Sequence, residues 1–280
     1  MPGTQFTMRF SIVTVSFNQV RFLESTIRSI LDQDYPDIEY IVVDPGSTDG
    51  SRDIIERYRD RISRIVFEPD SGAAEGLNNG FARATGDIYA FLNSDDVLLP
   101  GAISRVAEYF RSSPETDMVL GHAWVIDSDG RWLRNSYTDK FDLRAVAYGG
   151  CVICQQSTFF RASLFKKTKG FNIANAVAWD AELFLELLQA TRACYYADAF
   201  LSAFRVHRDG ITGGGKMRAQ RRAFALAQFE TIVGRPWRSS DRLIQFFYLL
   251  RKYAMEPRSI VQRLRYGSID GRYARTRAWR

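Results

Sequence analysis

The chain has 280 residues, of which 46% are hydrophobic and 25% charged, and its formal net charge is +6. That is enough length and apolar content for one large domain or a domain with an appendage, and it excludes a wholly disordered chain. Three cysteines, Cys151, Cys154 and Cys194, with a single C-x-x-C, exclude a disulfide scaffold and a closed zinc site and fit reduced thiols in a cytoplasmic protein.

Ile12 to Ser16 is a β-branched run closed by polar Ser16 and Asn18, and Phe22, Thr26, Ile27, Ile30 and Leu31 follow at helical spacing. Glu39 to Val43 repeats the strand pattern and runs into Asp44-Pro45-Gly46-Ser47-Thr48-Asp49-Gly50, after which Ile54, Ile55, Tyr58 and Ile62 mark a second helical face. A third strand, Arg64 to Phe67, leads through Asp70 and Gly72 to the Leu77, Phe81, Ala84 stripe, and Ile88 to Leu92 reads as a fourth. Strands alternating with helices predict an α/β fold with a mostly parallel, helix-flanked sheet whose strand ends face one crevice.

Asp44, Asp70, Asp95 and Asp96 each follow one of these strands, where such sheets hold ligands. The adjacent pair Asp95-Asp96 suits a hard divalent cation that keeps several waters and takes its other oxygens from phosphates. It also reads as a solvated turn, with Asp96 capping a helix that starts near Pro100, and Asp44 and Asp70 read equally as turn residues. Asp180, at the start of the apolar helical run Leu183, Phe184, Leu187, Leu188, fits a first-turn acid.

The run Val13-Thr-Val-Ser-Phe-Asn18, then Ile41-Val-Val-Asp-Pro-Gly-Ser-Thr-Asp-Gly50, Asn78-Asn-Gly80 with Ala84-Thr-Gly-Asp87, and Leu92-Asn-Ser-Asp-Asp96 closely resembles the family 2 glycosyltransferases. Cys154-Gln-Gln-Ser-Thr-Phe-Phe-Arg161, Gly170-Phe171, Trp179-Asp-Ala-Glu-Leu183 and Phe204-Arg-Val-His207 resemble the acceptor half of the same enzymes. The resemblance implies a GT-A fold and inverting transfer from a nucleoside diphosphate sugar, as in bacterial polysaccharide or glycolipid assembly. It implies donor contacts from Ser16, Asn18, Asp44, Asp70, Asn78, Asp95 and Arg205. It also implies Mg or Mn on the diphosphate, held by Asp96 with Asp95 beside it and His207 as a further candidate ligand. Asp180 is then the base, with Glu182 as its rival. Pro45 stands where many relatives carry a second acid, so the nucleotide is open, with UDP placed ahead of GDP or dTDP. Gln155 and Gln156 either line the acceptor pocket or bond backbone.

On this reading residues 1–215 form the catalytic domain, with a nucleotide-sugar half at about 9–100 and an acceptor half at about 101–212, and residues 216–280 form a helical basic region. From Arg235 onward there are 12 Lys or Arg against 3 acids. Leu243, Phe246, Phe247, Leu250 and Tyr253 beside Arg242, Arg251 and Lys252 suit a helix lying on an anionic membrane, as does the segment with Ile260, Val261 and Leu264. A helix packed on the domain with a solvated basic side suits them equally. The expectation is a cytoplasmic chain with peripheral contact at the inner face of the membrane through residues 240–266, and a glycan or polyprenyl-linked acceptor. The loop Gly210-Ile-Thr-Gly-Gly-Gly-Lys216 suits a lid or a linker. A nucleotidyltransferase is the rival enzyme, without a glycine-rich basic segment near the start to support it. A non-enzymatic basic binding protein is the other rival, but no nucleic-acid motif accompanies the basic tail, and no nucleic acid partner is expected.

Overall fold

The computed structural model describes residues 7–210, 212 and 217–269. The strand and helix alternation expected of the first hundred residues is present as β1 (Phe10–Val15), α1 (Val20–Leu31), β2 (Ile38–Val43), α2 (Ser51–Arg57), β3 (Arg64–Val66), α3 (Ala73–Phe81) and β4 (Ile88–Asn93). Then come β5 (Val97–Leu98), α4 (Ala102–Ser112), β6 (Met118–Ile126), β7 (Trp132–Ser136), α5 (Leu143–Ala147), β8 (Thr158–Arg161), α6 (Ala162–Phe165), α7 (Trp179–Ala190) and β9 (Cys194–Arg205). Helices α8 (Arg218–Val233), α9 (Asp241–Met255) and α10 (Pro257–Tyr266) follow. Most of the glycine loop, 211 and 213–216, lies outside the described residues, and with it the lid expectation.

The chain forms two compact units that divide within β6 and β9. In the first, residues up to 120 join Gln155–Ala203. Strands β1 to β4 run parallel in the order β3-β2-β1-β4, which sets Val15 of β1 level with Val43 and Asn93. β8 extends this sheet antiparallel to β4, and the opening residues of β6 pair antiparallel with β8. The alternation of side chains along β4 divides its burial between two faces. Ile88, Ala90 and Leu92 enter a core with Leu23, Ile27 and Ile30 of α1, Ile54 and Ile55 of α2, and Ile103, Val106 and Phe110 of α4. Tyr89 and Phe91 face an aromatic cluster: Phe81 of α3 lies 5.0 Å from both Tyr89 and Phe165 and 5.9 Å from Phe171. Each such large side chain contributes about 1.5–3 kcal/mol on burial.

The helix that closes this face lies unusually near the strands. A Cβ added at Gly80 of α3 would sit 2.4 Å from Val13 Cγ1 and 3.3 Å from Val43 Cγ2, both buried. Alanine is the better helix former by about 1 kcal/mol, but overpacking a filled core costs about 1–3 kcal/mol. We expect Gly80→Ala to destabilise by up to about 2 kcal/mol, read as a lower urea midpoint at unchanged slope.

At the N-terminal ends of the same strands an acid is held structurally. Buried Glu39 accepts from Ser11 Oγ at 2.6 Å, Thr85 N at 2.7 Å and Thr85 Oγ1 at 2.9 Å. Burial works against its charge, yet the Ser11 and Thr85 hydrogen bonds outweigh it and lower its pKa. Gly86 donates to Ser11 Oγ at 2.8 Å from a position where a Cβ would come within 2.7 Å of Arg9 O.

The second unit combines Gly121–Cys154 with residues from Phe204 on. β7 pairs antiparallel with the later half of β6. Around Tyr148, at the end of α5, gather Phe229 of α8 at 5.3 Å, Trp237 at 5.9 Å and Tyr248 of α9, stacked at 5.3 Å. Asp241 at the start of α9 is fully buried and accepts from Arg235 at 2.7 and 2.8 Å, from Arg238 N at 2.7 Å and from Tyr148 at 3.2 Å. The Arg235 guanidinium above all holds its carboxyl well below the usual range.

Candidate functional site

Because β1 to β4 are parallel, the residues that follow them lie along one edge of the sheet. Ser16, directly after β1, is buried, and its hydroxyl has no hydrogen-bond partner among the described residues. A buried hydroxyl left without a partner is a group that a ligand can satisfy. Asn18 follows with a φ of 54°, a left-handed conformation that asparagine tolerates. Its N–H donates to Ser47 Oγ at 2.8 Å and its Oδ1 accepts from Thr48 N at 2.9 Å, which fastens the loop after β1 to the loop after β2.

Asp44, the residue after β2, is fully buried and accepts four hydrogen bonds. They come from Gly46 N at 3.1 Å, Ser47 N at 2.8 Å, Ser47 Oγ at 2.6 Å and Arg52 Nε at 3.1 Å. The turn reading therefore holds for Asp44, and its place at the strand end holds as well. Arg52, from the first turn of α2, also donates to Asp44 O at 2.8 Å and lies over the Phe67 ring at 4.4 Å from its centroid. Sequence reading missed Arg52; the available signal was a cation eight residues after Asp44 on the helix that the same turn launches.

Asp70 accepts from Gly72 N at 2.9 Å, and its other oxygen crowds Gly76, where a Cβ would lie 2.7 Å away. Burial raises its pKa, and the charges of Glu75 and Asp44 add to the rise. β2 and β3 pair side by side, so Asp44 and Asp70 follow neighbouring strands.

At the end of β4 Asp96 is fully buried and Asp95 half-buried. Thr26 of α1 fixes the backbone here, its hydroxyl donating to Ser94 O at 2.9 Å and Asp96 O at 2.7 Å. The next residues form β5, which pairs with Ser202 and Ala203 of β9. Asp96 therefore does not cap the following helix: α4 begins at Ala102 with Gly101 in the cap position. Gln155 donates to Phe91 O at 2.8 Å and accepts from Asn93 Nδ2 at 3.4 Å, so of its two readings the backbone-bonding one is realised, at the foot of the same turn.

Asn78 is committed to the chain itself. Its amide donates to Phe171 O at 2.8 Å and accepts from Phe171 N at 2.9 Å, a two-point clamp that joins α3 to the Gly170-Phe171 turn. Phe171 and Phe91 in turn flank Trp179, at 5.6 and 5.7 Å, and Trp179 opens α7. This chain of contacts fixes the first turn of α7, and Asp180 with it, against β4. Asp180 is half-buried, accepts from Ala181 N at 2.8 Å, and has its pKa raised by burial. Its rival is otherwise occupied: Glu182 accepts from Asn172 Nδ2 at 3.0 and 3.2 Å and from Asn175 Nδ2 at 2.7 Å.

Arg205 and His207 belong to the second unit, and both are buried. Arg205 donates to Asp127 O at 3.1 Å and to Ser128 O at 3.4 Å, while Gly210 packs on the His207 ring, near enough for an added Cβ to lie 3.2 Å from Nε2. Among the described residues no group of three or more His, Cys, Asp or Glu could hold a metal ion unaided. A cation that takes one or two carboxylates from the protein and its remaining oxygens from a diphosphate and water fits the Asp95-Asp96 turn in donor chemistry.

The family model described as Glycosyl transferase family 2 matches residues 11–169. The putative teichuronic acid biosynthesis glycosyltransferase TuaG of Bacillus subtilis is 45% identical over 102 residues, 35% of this chain and 40% of its own. The chain spans about two fifths of the length of curated relatives such as this one. Among solved structures, S. aureus TarS 1-349 in complex with UDP-GlcNAc superposes with a TM-score of 0.63 at 16% identity, covering 92% of this chain and 74% of that one. The mannosyltransferase PcManGT of Pyrobaculum calidifontis, in complex with GDP-Man and Mn2+, gives 0.62 at 16% identity, with 92% and 79% covered. At such identity these are likenesses of fold, and the fold is the GT-A type. With more than half of its length matched by the family model, the chain belongs to family 2 of the glycosyltransferases.

Proposed function

We propose that the chain moves one sugar from a nucleoside diphosphate sugar to a hydroxyl of a glycan or polyprenyl-linked saccharide, with inversion at the anomeric carbon. The observation that carries this reading is the gathering of Ser16, Asp44, Asp70, Asp95 and Asp96 along the C-terminal edge of four parallel strands, with α7 and Asp180 anchored on β4. Ser16, Asn18, Asp44 and Asp70 serve the nucleoside side, Asp44 and Arg52 acting as one hydrogen-bonded unit. Asn78 acts by positioning the Gly170-Phe171 turn. Asp95 and Asp96 would hold Mg or Mn, which supplies neutralisation of the diphosphate as it departs. Arg205 and His207 keep the roles given by the family resemblance, toward the diphosphate and as a candidate metal ligand.

In the transfer, the acceptor oxygen attacks the anomeric carbon as the bond from that carbon to the phosphate oxygen breaks, and Asp180 takes the hydroxyl proton. Because the two bonds lie on opposite faces of the sugar, the configuration inverts. The complexes of TarS with UDP-GlcNAc and of PcManGT with GDP-Man support a nucleotide-sugar donor, and we place UDP first. TuaG, named for teichuronic acid biosynthesis, supports an acceptor in cell-envelope polysaccharide assembly. Among the described residues no helix is long and apolar enough to cross a membrane.

A thermal-shift screen against UDP, GDP, CMP and dTDP sugars, each with and without Mn or Mg, tests the reading. A donor at 100 times its dissociation constant stabilises by about 2.7 kcal/mol, an upward shift of several degrees. We expect that shift with a UDP sugar plus metal. A flat response to every nucleotide would overturn the donor site.

A further inference from the structure

α9 packs on its own unit with its polar and charged side and turns its apolar side outward. Lys252 pairs with Asp139 at 2.9 Å where both are nearly buried, Arg251 reaches Asp142 at 2.6 Å, and Tyr248 stacks on Tyr148. The sequence expectation of a solvated basic side is thus reversed for Arg251 and Lys252, because the acids of the 139–142 segment draw them in. The opposite side carries Leu243 at 76% exposure, Phe246 and Phe247 at 59% each and Leu250 at 53%. α10, in contact with α9, also leaves Val261 exposed at 55% and Leu264 at 80%.

By helical spacing Leu243, Phe246, Phe247 and Leu250 share one stripe, with exposed Arg242 on its border. Arg263 and Arg265 border the Ile260, Val261, Leu264 stripe of α10 in the same way. Large exposed side chains grouped like this mark an interaction surface. We propose that the outward faces of α9 and α10 dock on an anionic lipid bilayer, with the leucines and phenylalanines entering the headgroup boundary and the flanking arginines meeting lipid phosphates.

Charge decides the occupant. An aromatic and aliphatic stripe with a basic border is the pattern of a helix lying in a membrane interface, where arginines near the surface meet anionic headgroups. A second copy would set identical basic borders against each other across a two-fold axis. Arg235, Arg251, Lys252 and Arg258 are paired with acids of the chain, and the other basic residues from Arg235 onward extend the same match to anionic headgroups. The proposal is independent of sugar transfer and stands or falls without it.

The test is co-sedimentation of the full chain with vesicles of phosphatidylcholine, with and without phosphatidylglycerol, at low salt. Binding is expected only to the anionic vesicles. The Phe246→Ser, Phe247→Ser double variant should lower partitioning by at least about tenfold, and the Arg242→Glu, Arg263→Glu, Arg265→Glu triple variant should do the same. These side chains are exposed, so both variants should keep the wild-type circular dichroism and melting point; if the aromatic variant does not fold, the arginine variant decides. No binding to anionic vesicles, or binding that both folded variants retain, overturns the proposal. A dimer that ignores vesicles and that the aromatic variant converts to monomer overturns it in favour of a second copy.

Discussion

Asp96→Ala is expected to cut metal-dependent turnover by about a thousandfold, equivalent to about 4 kcal/mol of lost transition-state stabilisation, while the protein stays folded. The size follows from the chemistry that the proposal asks of this position. A nucleoside diphosphate leaves with growing negative charge, and the carboxylate best placed to bring a cation to it is the fully buried one at the end of β4. Thr26 holds Ser94 O and Asp96 O directly, an anchor of the turn that the substitution leaves in place. Circular dichroism and the melting curve should therefore match wild type, while the extra stabilisation that Mn gives to a bound nucleotide sugar disappears. Wild-type turnover in the variant would remove Asp96 from the metal site.

The contrast between the two ends of the sheet shows what the sequence could carry. The β-branched runs and helical stripes of the first hundred residues predicted four strands and their helices, and local pattern sufficed because each strand is followed at once by the helix that covers it. The same logic located the acids at strand ends. What pattern could not show was which acid at a strand end has its hydrogen bonds supplied by residues distant in sequence. Glu39 is buried at the other end of the strands, and Ser11 and Thr85, far away in sequence, satisfy it.

Thr85 and Gly86, quoted above for family likeness, turn out to serve that structural acid, and Asp87 receives Arg9 N at 2.9 Å. Asn78, read as a donor contact, spends both ends of its amide on Phe171, a partner 93 residues away that no spacing rule could have named. Arg52 was invisible for the opposite reason: an arginine on an exposed helical turn is unremarkable until Phe67 and Asp44 are seen around it. The tail shows the same limit. Its amphipathic spacing was legible, but which side faces the protein was decided by Asp139 and Asp142.

The choice of base gives the second large effect. Asp180→Asn keeps shape and hydrogen-bonding capacity but removes the proton acceptor, so donor affinity should stay within about twofold while kcat falls by about 10²–10⁴. Glu182→Gln should leave kcat nearly unchanged, because Glu182 already accepts three amide hydrogen bonds from Asn172 and Asn175 and is spent on holding that loop. The pH profile separates a base from a merely structural acid. Only ionised Asp180 can accept the acceptor proton, so kcat should rise as pH increases through the pKa of this group and then level off. Burial raises that pKa, so the rise falls at a higher pH than an ordinary aspartate would give. The Asn variant should lose the rising limb along with the rate. A variant that keeps both would clear Asp180 of the role, and the hydrogen bonds on Glu182 would then have to open for it to serve instead.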